Sequence, residues 1–372
     1  CYYSNTKEEI RKDIMKHTTD LGKDKVPLLV LKLAIPSMIA QFVTVLYSII
    51  DRMFIGNIEE IGDIALAGVG VCGPIVTLLT SFGTFIGLGG SILMAMRMGA
   101  GQKKEAQSIL AHSFAMLVAF SAVLTLVFLL SKKYLLNWFG ASPLTFPYAD
   151  TYMTIYTAGT FFALMAAGLN YFINCQGFPV AGMMTVLIGA VSNIILDPVF
   201  IFLFHMDVAG AAIATVISQM ASCAFALLFL FSKKVHVRIS FGNYSRKLML
   251  NILYLGMSPF LILATDSILL IVMNTVLQKY GGPEQGDMLI TCATIVQSYM
   301  MLITGPMLGI SSGTQAILSY NYGARRPKRV KQAILTMALM IFVYTGAMWS
   351  VIILAPHFLI QIFSSDSELI QA

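Results

Sequence analysis

Residues 180–204 read VAGMMTVLIGAVSNIILDPVFIFLF, an almost uninterrupted apolar run in which Asp197 is the only charged side chain. A helix needs about 20 mostly apolar residues to cross the hydrocarbon core of a bilayer. Backbone N–H and C=O groups find no water there, so the segment must satisfy them internally, as a helix does. The run therefore predicts a transmembrane helix, and the fold follows from how many similar runs surround it.

The same pattern recurs along the chain, and nine segments in all qualify as predicted spans. They are residues 27–50, 64–96, 106–131, 148–174, 180–204, 208–232, 248–278, 288–320 and 332–355. The composition agrees, since 57% of the residues are hydrophobic and only 11% are charged, against roughly a quarter charged in soluble domains. We predict an all-α, polytopic membrane protein. A further apolar stretch starts at Pro356, and because the chain opens on Cys1 we expect it to be a piece of a longer protein.

Lysine and arginine are distributed unevenly between the predicted loops. If residues 1–26 are cytoplasmic, 20 of the 24 Lys and Arg residues fall on the inner side. Only Arg52, Lys132, Lys133 and Lys279 fall outside. Basic residues are enriched in cytoplasmic loops, so we predict a cytoplasmic N-terminus. The net charge of +6 is spread over these short loops, which favours a membrane over nucleic acid as the partner.

An internal repeat links the second and eighth predicted spans, which are both long and both end in a glycine before a basic loop. Gly89 and Gly313, and likewise Gly99 and Gly323, lie 224 positions apart. A repeat of six spans is even, so both copies enter the membrane from the same side. We predict two pseudo-symmetric six-helix lobes, the second of them incomplete in this chain. The predicted division is an N-terminal segment 1–26, a first lobe 27–232, a linker 233–247 and a second lobe 248–372.

Buried carboxylates mark the candidate functional site, because an aspartate at the centre of a membrane helix costs about 2.5–3.5 kcal/mol on insertion scales. Asn193 and Asp197 are four residues apart and share one helix face. Asp51 on the first span and Thr215 on the sixth are predicted to reach a similar depth. No Lys or Arg lies there except the interfacial Arg52, so the two acids suit a proton or a sodium ion. Alternatively, Asp51 only marks the interface and Asp197 only caps a kink.

Other residues at membrane depth are weaker candidates. Asp266 on the seventh span and Gln297 on the eighth are candidates for a second site, and Asn170 is polar on the fourth. Such side chains can instead form hydrogen bonds across helices, worth about 0.6 kcal/mol on average. The aromatic candidates for lining a cavity for cations are Tyr47, Phe161, Phe162 and Tyr171, although aromatic residues in spans commonly face lipid or pack.

Two enzyme-like motifs fail on their context. Gly309-Ile310-Ser311-Ser312-Gly313 fits the spacing of a hydrolase elbow, but it lies in an apolar helix where a strand–turn–helix is required. Gly68-x-Gly-x-x-Gly73 fits a dinucleotide fingerprint by spacing alone, since no strand precedes it. The five cysteines and five histidines show no metal-ligand spacing. We expect no enzymatic activity, no cofactor, and no metal beyond a sodium ion at Asp51 and Asp197.

Six short motifs carry a resemblance to a known family from Leu28 onward. They are Pro36, Tyr47-x-x-x-Asp51, Met98-Gly99-Ala100-Gly101, Asn170…Gln176-Gly177, Asn193-x-x-x-Asp197-Pro198 and Gly210-Ala211-Ala212-x-Ala214-Thr215. Together they resemble the MATE (multidrug and toxic compound extrusion) family, and most closely its DinF-like and MepA-like bacterial branch. The motif of the fifth span is the most specific part.

The resemblance implies two six-helix lobes that export cationic or amphiphilic small molecules from a bacterial cell across its plasma membrane, driven by the entry of H⁺ or Na⁺. It implies a cation site in the first lobe made of Tyr47, Asp51, Asn170, Asn193, Asp197 and Thr215. We expect a monomer whose partners are the bilayer and a small-molecule cargo. Two alternatives remain open. One is a lipid-linked saccharide flippase of the same superfamily, whose cavity should be basic, and the other is an intramembrane hydrolase built on Ser311.

Overall fold

The computed structural model describes residues 20–242 and 244–354, with the backbone alone for most of residues 267–299. Within these residues the regular structure consists of nine α-helices and one π-helical turn, and no strand occurs. The helices are α1 (Val26–Gly56), α2 (Gly62–Gly99), α3 (Lys103–Trp138), α4 (Phe146–Ala158), α5 (Thr160–Cys175), α6 (Pro179–Pro198), α7 (Asp207–Phe231), α8 (Arg246–Gly323) and α9 (Pro327–Leu354). The π-helical turn, Val199–Leu203, directly continues α6.

The predicted class, an all-α membrane protein, is confirmed. Among the described residues seven helices are long and apolar enough to cross a membrane, or eight if the bent pair α4 and α5 forms one span. These helices fall on eight of the nine predicted spans, with ends that differ by several residues. Apolar side chains such as Leu126, Leu130 and Phe342 point outward from the bundle and are exposed, which suits contact with lipid tails.

The fourth predicted span, residues 148–174, is bent by 57° between α4 and α5, at Gly159. The predicted span is therefore present as two helices joined at a bend. Glycine is a poor helix former and a frequent site of kinks. A side chain at Gly159 would overlap Val216, so the glycine at the bend also lets α7 pack closely there.

The helix α8 differs from the two spans that the sequence predicts, because no loop interrupts it between residues 246 and 323. A straight helix of its 78 residues would be about 117 Å long, far beyond a bilayer core of about 30 Å. Yet Gly256 packs on Phe85 and Gly323 packs on Met96, two residues roughly 16 Å apart along α2. The helix must therefore fold back into two legs.

The repeat seen in the sequence is realised as a reciprocal contact between α2 and α8. A side chain at Gly99 would overlap the carbonyl of Tyr320, and a side chain at Gly323 would overlap the carbonyl of Met96. Met96 and Tyr320 are 224 positions apart, as Gly99 and Gly323 are. The two contacts are therefore related by the pseudo-symmetry, and each one permits glycine alone.

A second pair of close contacts joins Gly89 of α2 to α8 and Gly313 of α8 to α1. A side chain at Gly89 would overlap the backbone of Ile252, and one at Gly313 would lie 2.6 Å from the carbonyl oxygen of Leu33. Small residues let helix backbones approach closely, which is the main way that helices associate in lipid. The two halves are thus joined backbone to backbone along α1, α2 and α8.

We call the end of the bundle that carries the α2–α3 turn (100–102) and the α8–α9 turn (324–326) the basic end, because Lys103, Lys104, Arg325 and Lys328 lie beside these turns. The segment expected to link the halves crosses this end. Its Val237 N–H donates to Gln176 Oε1 at 2.7 Å, and its Ser245 N–H donates to His112 Nε2 at 2.7 Å. Both anchoring side chains are fully buried, so the segment is fixed to the first half at two points.

We predict that Gly313→Ala destabilises the protein, because its Cβ would lie 2.6 Å from the Leu33 carbonyl oxygen and overpacking costs about 1–3 kcal/mol. Gly346→Ala in α9 is the matched control, since its Cβ would meet no atom within 4 Å. Alanine is favoured over glycine by up to about 1 kcal/mol in a helix. Thermal unfolding of the detergent-solubilised variants should show a lower midpoint for the first substitution only. Equal midpoints would contradict the close contact.

Candidate functional site

Two carboxylic acids meet in the bundle, far from the basic end. Asp51 lies close to the last turn of α1, and Asp197 lies close to the end of α6, just before Pro198. Their carboxyl groups are within hydrogen-bonding reach of each other. Asp197 has no exposed surface, whereas Asp51 is half-buried. The π-helical turn follows directly, a distortion that is frequent at functional sites.

The second and third helices of the site contribute polar side chains that are almost fully buried. Asn193, one turn before Asp197 on α6, donates its amide Nδ2 to Asp197 Oδ1 at 3.0 Å and to Thr215 Oγ1 of α7 at 3.4 Å. A side chain at Gly210 would overlap the backbone of Phe200, so glycine there lets the start of α7 approach the π-helical turn. The structure thus brings together Asp51, Asn193, Asp197 and Thr215.

The site has more hydrogen-bond acceptors than donors. Asp51 Oδ1, Asn193 Oδ1 and Asp197 Oδ2 are buried oxygen atoms with no hydrogen-bond partner. Among the described residues neither acid forms a salt bridge, and the adjacent Arg52 is exposed. A buried acceptor without a donor is costly. The cluster is therefore chemically suited to take up a positively charged species, either a proton or a metal cation with a preference for oxygen.

Aromatic side chains lie in the neighbourhood of the acids. Tyr47 lies one turn before Asp51 and within electrostatic reach of both acids, and Tyr152 of α4 is within reach of Asp51. The ring of Tyr156 stacks on that of Tyr152, with centroids 6.1 Å apart. Gln219 of α7 donates its Nε2 to the Tyr156 hydroxyl at 3.2 Å.

Sequence reasoning missed Tyr152, Tyr156 and Gln219. Two spacings carried a usable signal, because Tyr152 and Tyr156 are four residues apart, and so are Thr215 and Gln219. Residues at that spacing share a helix face. The spacing did not reveal that the bend at Gly159 gives α4 an orientation different from that of α5.

Several predicted residues lie elsewhere. Asn170 donates to the Gly182 carbonyl at 2.9 Å and accepts from Asn174 at 2.7 Å. Gly182 is about three turns, or roughly 16 Å, from Asn193 along α6. Asn170 is therefore not grouped with the acids, because the start of α6 already takes up its amide.

The remaining candidates are also dispersed. Tyr171 lies 3.5 Å from Thr84 Oγ1 through its hydroxyl and lines a small cavity between α2, α5 and the second leg of α8. Phe161 and Phe162 form an edge-to-face pair at the start of α5. Asp266 is exposed, and the side chain of Gln297 lies outside the described residues. Ser311 is in mid-helix, and in the described part of the chain no three His, Cys, Asp or Glu residues form a metal-binding group.

The comparison with protein families shows which family the chain belongs to. The profile of the MatE family matches residues 36–199 and 260–372, which is most of the chain and includes both legs of α8. The chain belongs to the MATE family. The match covers residues in both halves of the repeat.

Individual relatives place this MATE chain in the MepA-like branch. It is similar to the multidrug export protein MepA of Staphylococcus haemolyticus (strain JCSC1435), with 26% identity over 340 residues, 91% of this chain and 73% of that protein. The fold matches a crystal structure of a MATE protein in complex with MaD3S, with 26% identity and a TM-score of 0.86 over 95% of this chain and 80% of that chain. It also matches an outward-facing multidrug-resistance MATE transporter of the MOP superfamily, with 25% identity and a TM-score of 0.87 over 95% and 78% of the two chains.

We predict that Asp51→Asn makes this MATE protein more stable at pH 8. The substitution removes one of two adjacent negative charges and offers an amide donor to Asp197, which is worth about 1–2 kcal/mol. The gain should shrink at pH 5, because protonation relieves the repulsion in the native protein as well. Glu59→Gln, at an exposed loop position, is the control and should change nothing. Thermal unfolding at the two pH values provides the measurement, and a destabilised Asp51→Asn protein at pH 8 would contradict the acceptor excess.

Proposed function

We propose that this protein is a secondary antiporter that exports cationic or amphiphilic small molecules in exchange for H⁺ or Na⁺. One observation supports the coupling part of the proposal: the cluster holds three buried oxygens without a hydrogen-bond partner, on Asp51, Asn193 and Asp197. The similarity to the multidrug export protein MepA supports the export of drugs and related compounds. A flippase for anionic lipid-linked sugars fits less well, because two acids would repel its cargo.

The coupling ion would act by supplying the positive charge that the site lacks. A proton would be shared between Asp51 and Asp197, whose close approach disfavours two negative charges. A sodium ion would take both carboxylates and the Asn193 and Thr215 oxygens as ligands. In either case the ion neutralises the acids, so an organic cation attracted by the same acids is released. Export is then coupled to ion entry because both species use one negative site.

The two halves would supply alternating access. We assign residues 27–232 to the first lobe, 233–247 to the linker and 248 onward to the second lobe, working as a monomer. The reciprocal contacts of Gly99 and Gly323 close the bundle at the basic end. A transporter of this kind rocks one lobe against the other about a fixed site, so these contacts would separate when that end opens.

We expect Asp51 and Asp197 to behave as one site in a double-mutant cycle. In proteoliposomes with separately imposed pH and sodium gradients, Asp197→Asn and Asp51→Asn should each reduce ion-driven export at least about tenfold. Groups that share one ion titrate as a pair and give non-additive losses, so the double variant should lose little more than either single one. Glu59→Gln is the control for loss of a distant acid. Losses that multiply would reject the shared site and leave the family assignment standing.

The basic end should face the cytoplasm, because Lys and Arg are enriched in cytoplasmic loops. Single cysteines placed at Lys103, Lys234 and Arg326 should react with an impermeant maleimide only in inverted vesicles. Cysteines at Glu59 and Pro143 should react only in intact cells. Labelling of the Lys234 position from outside would reverse the orientation.

A further inference from the structure

Residues 20–25 lie just before α1 and are bound to the other half of the molecule at the basic end. We call them the N-terminal strap. Leu21 is 4% exposed, and a side chain at Gly22 would come within 3.2 Å of both Tyr320 and Arg326. The strap belongs by sequence to α1, whereas its neighbours belong to the end of α8 and the loop that follows.

Three side chains hold the backbone of the strap. Asn321 donates to the Leu21 carbonyl at 3.0 Å, and Arg326 donates to the Gly22 carbonyl at 2.6 Å. Arg329 reaches two carbonyls with one Nη2, Asp24 at 2.7 Å and Leu21 at 3.3 Å. Its Nε donates to Asn321 Oδ1 at 2.9 Å, so the two residues orient each other.

The pseudo-symmetric positions in the first half do not bind a strap. Arg97, Gln102 and Glu105 lie 224 positions before Asn321, Arg326 and Arg329. They bond instead to one another, with Arg97 donating to Gln102 Oε1 at 2.9 Å and lying 3.3 Å from Glu105. The fold of the turn therefore does not require these contacts with a strap. The segment before the first helix of the second half is bound differently, with the Ser245 N–H donating to His112 Nε2 at 2.7 Å.

We propose that the N-terminal strap is a latch that holds the basic end of the two halves closed and must be released before that end can open. The inference rests on the proposed function in one respect, because only a transporter with alternating access needs this end to open. Opening separates α1 and α2 from the α8–α9 turn. It must break the hydrogen bonds to the strap, and the latch therefore favours the conformation closed at the basic end.

The test measures opening directly, without cargo or a gradient. Ser91 is 3% exposed and lines the small cavity between α2, α5 and α8. A cysteine at this position, Ser91→Cys in a cysteine-free background, should react with a bulky maleimide only when the basic end opens. The reaction rate is measured in nanodiscs. Hydrogen bonds from charged groups are stronger than those between neutral groups. Arg326→Ala combined with Arg329→Ala should therefore raise the labelling rate by about tenfold or more. Lys328→Ala, which removes a charge from the same loop, should leave the rate unchanged.

Arg329→Lys keeps the charge but loses the forked geometry, and an intermediate labelling rate is expected. If the double variant does not fold, this variant together with Arg326→Gln decides the outcome. Unchanged labelling in folded variants, or an equal increase in Lys328→Ala, would overturn the latch. Because labelling needs no export, a failed drug assay would leave the latch standing, and unchanged labelling with normal export would reject the latch alone.

Discussion

The close contact between the backbones of α2 and α8 is the constraint on which the arrangement of the two halves depends. Gly99 rests on the Tyr320 carbonyl and Gly323 on the Met96 carbonyl, so neither helix can carry a side chain there. In lipid there is no hydrophobic force to bring helices together, and close backbone packing takes its place. Since the contact is reciprocal, it holds the two halves in their pseudo-symmetric arrangement at the basic end. The polar site lies at the other end, outside this contact.

At that other end, buried polar groups lower the stability of the bundle and form the candidate site. Asp197 is completely buried, and three oxygens of the cluster have no donor. A bundle selected for stability alone would carry an amide or an apolar side chain at one of these positions. The excess of acceptors makes sense if a mobile cation supplies the missing charge for part of the transport cycle. Among the described residues no Lys or Arg forms a salt bridge with the pair, and on the proposed function a permanent cationic partner would exclude the ion.

Much of the fold and of the candidate site could be predicted from the sequence where the pattern lies within one helix. Asn193 and Asp197 share a face at four-residue spacing, and the equal separations of Gly89 from Gly313 and Gly99 from Gly323 revealed the repeat. Asn170 could not be placed in this way. Its partner, the Gly182 carbonyl, lies on another helix, so no spacing along the chain discloses the contact. Similarly, hydropathy does not register the bend at Gly159, which depends on packing against Val216.

The scaffold is symmetric, but the side chains placed on it are not. Pro36 of α1 and Pro259 of α8 match at an offset of 223. At that offset Asp51 corresponds to Asn274, so the second half does not repeat the acid of the first. Conversely, the second half binds the strap with Arg326 and Arg329, where the first half has a self-contained Arg97–Glu105 pair. A fully symmetric protein would bias neither half. If Asp51 and Asp197 bind the coupling ion and the strap is a latch, as we propose, a change of charge at the acids acts on the first half, while Arg326 and Arg329 of the second half hold the basic end closed.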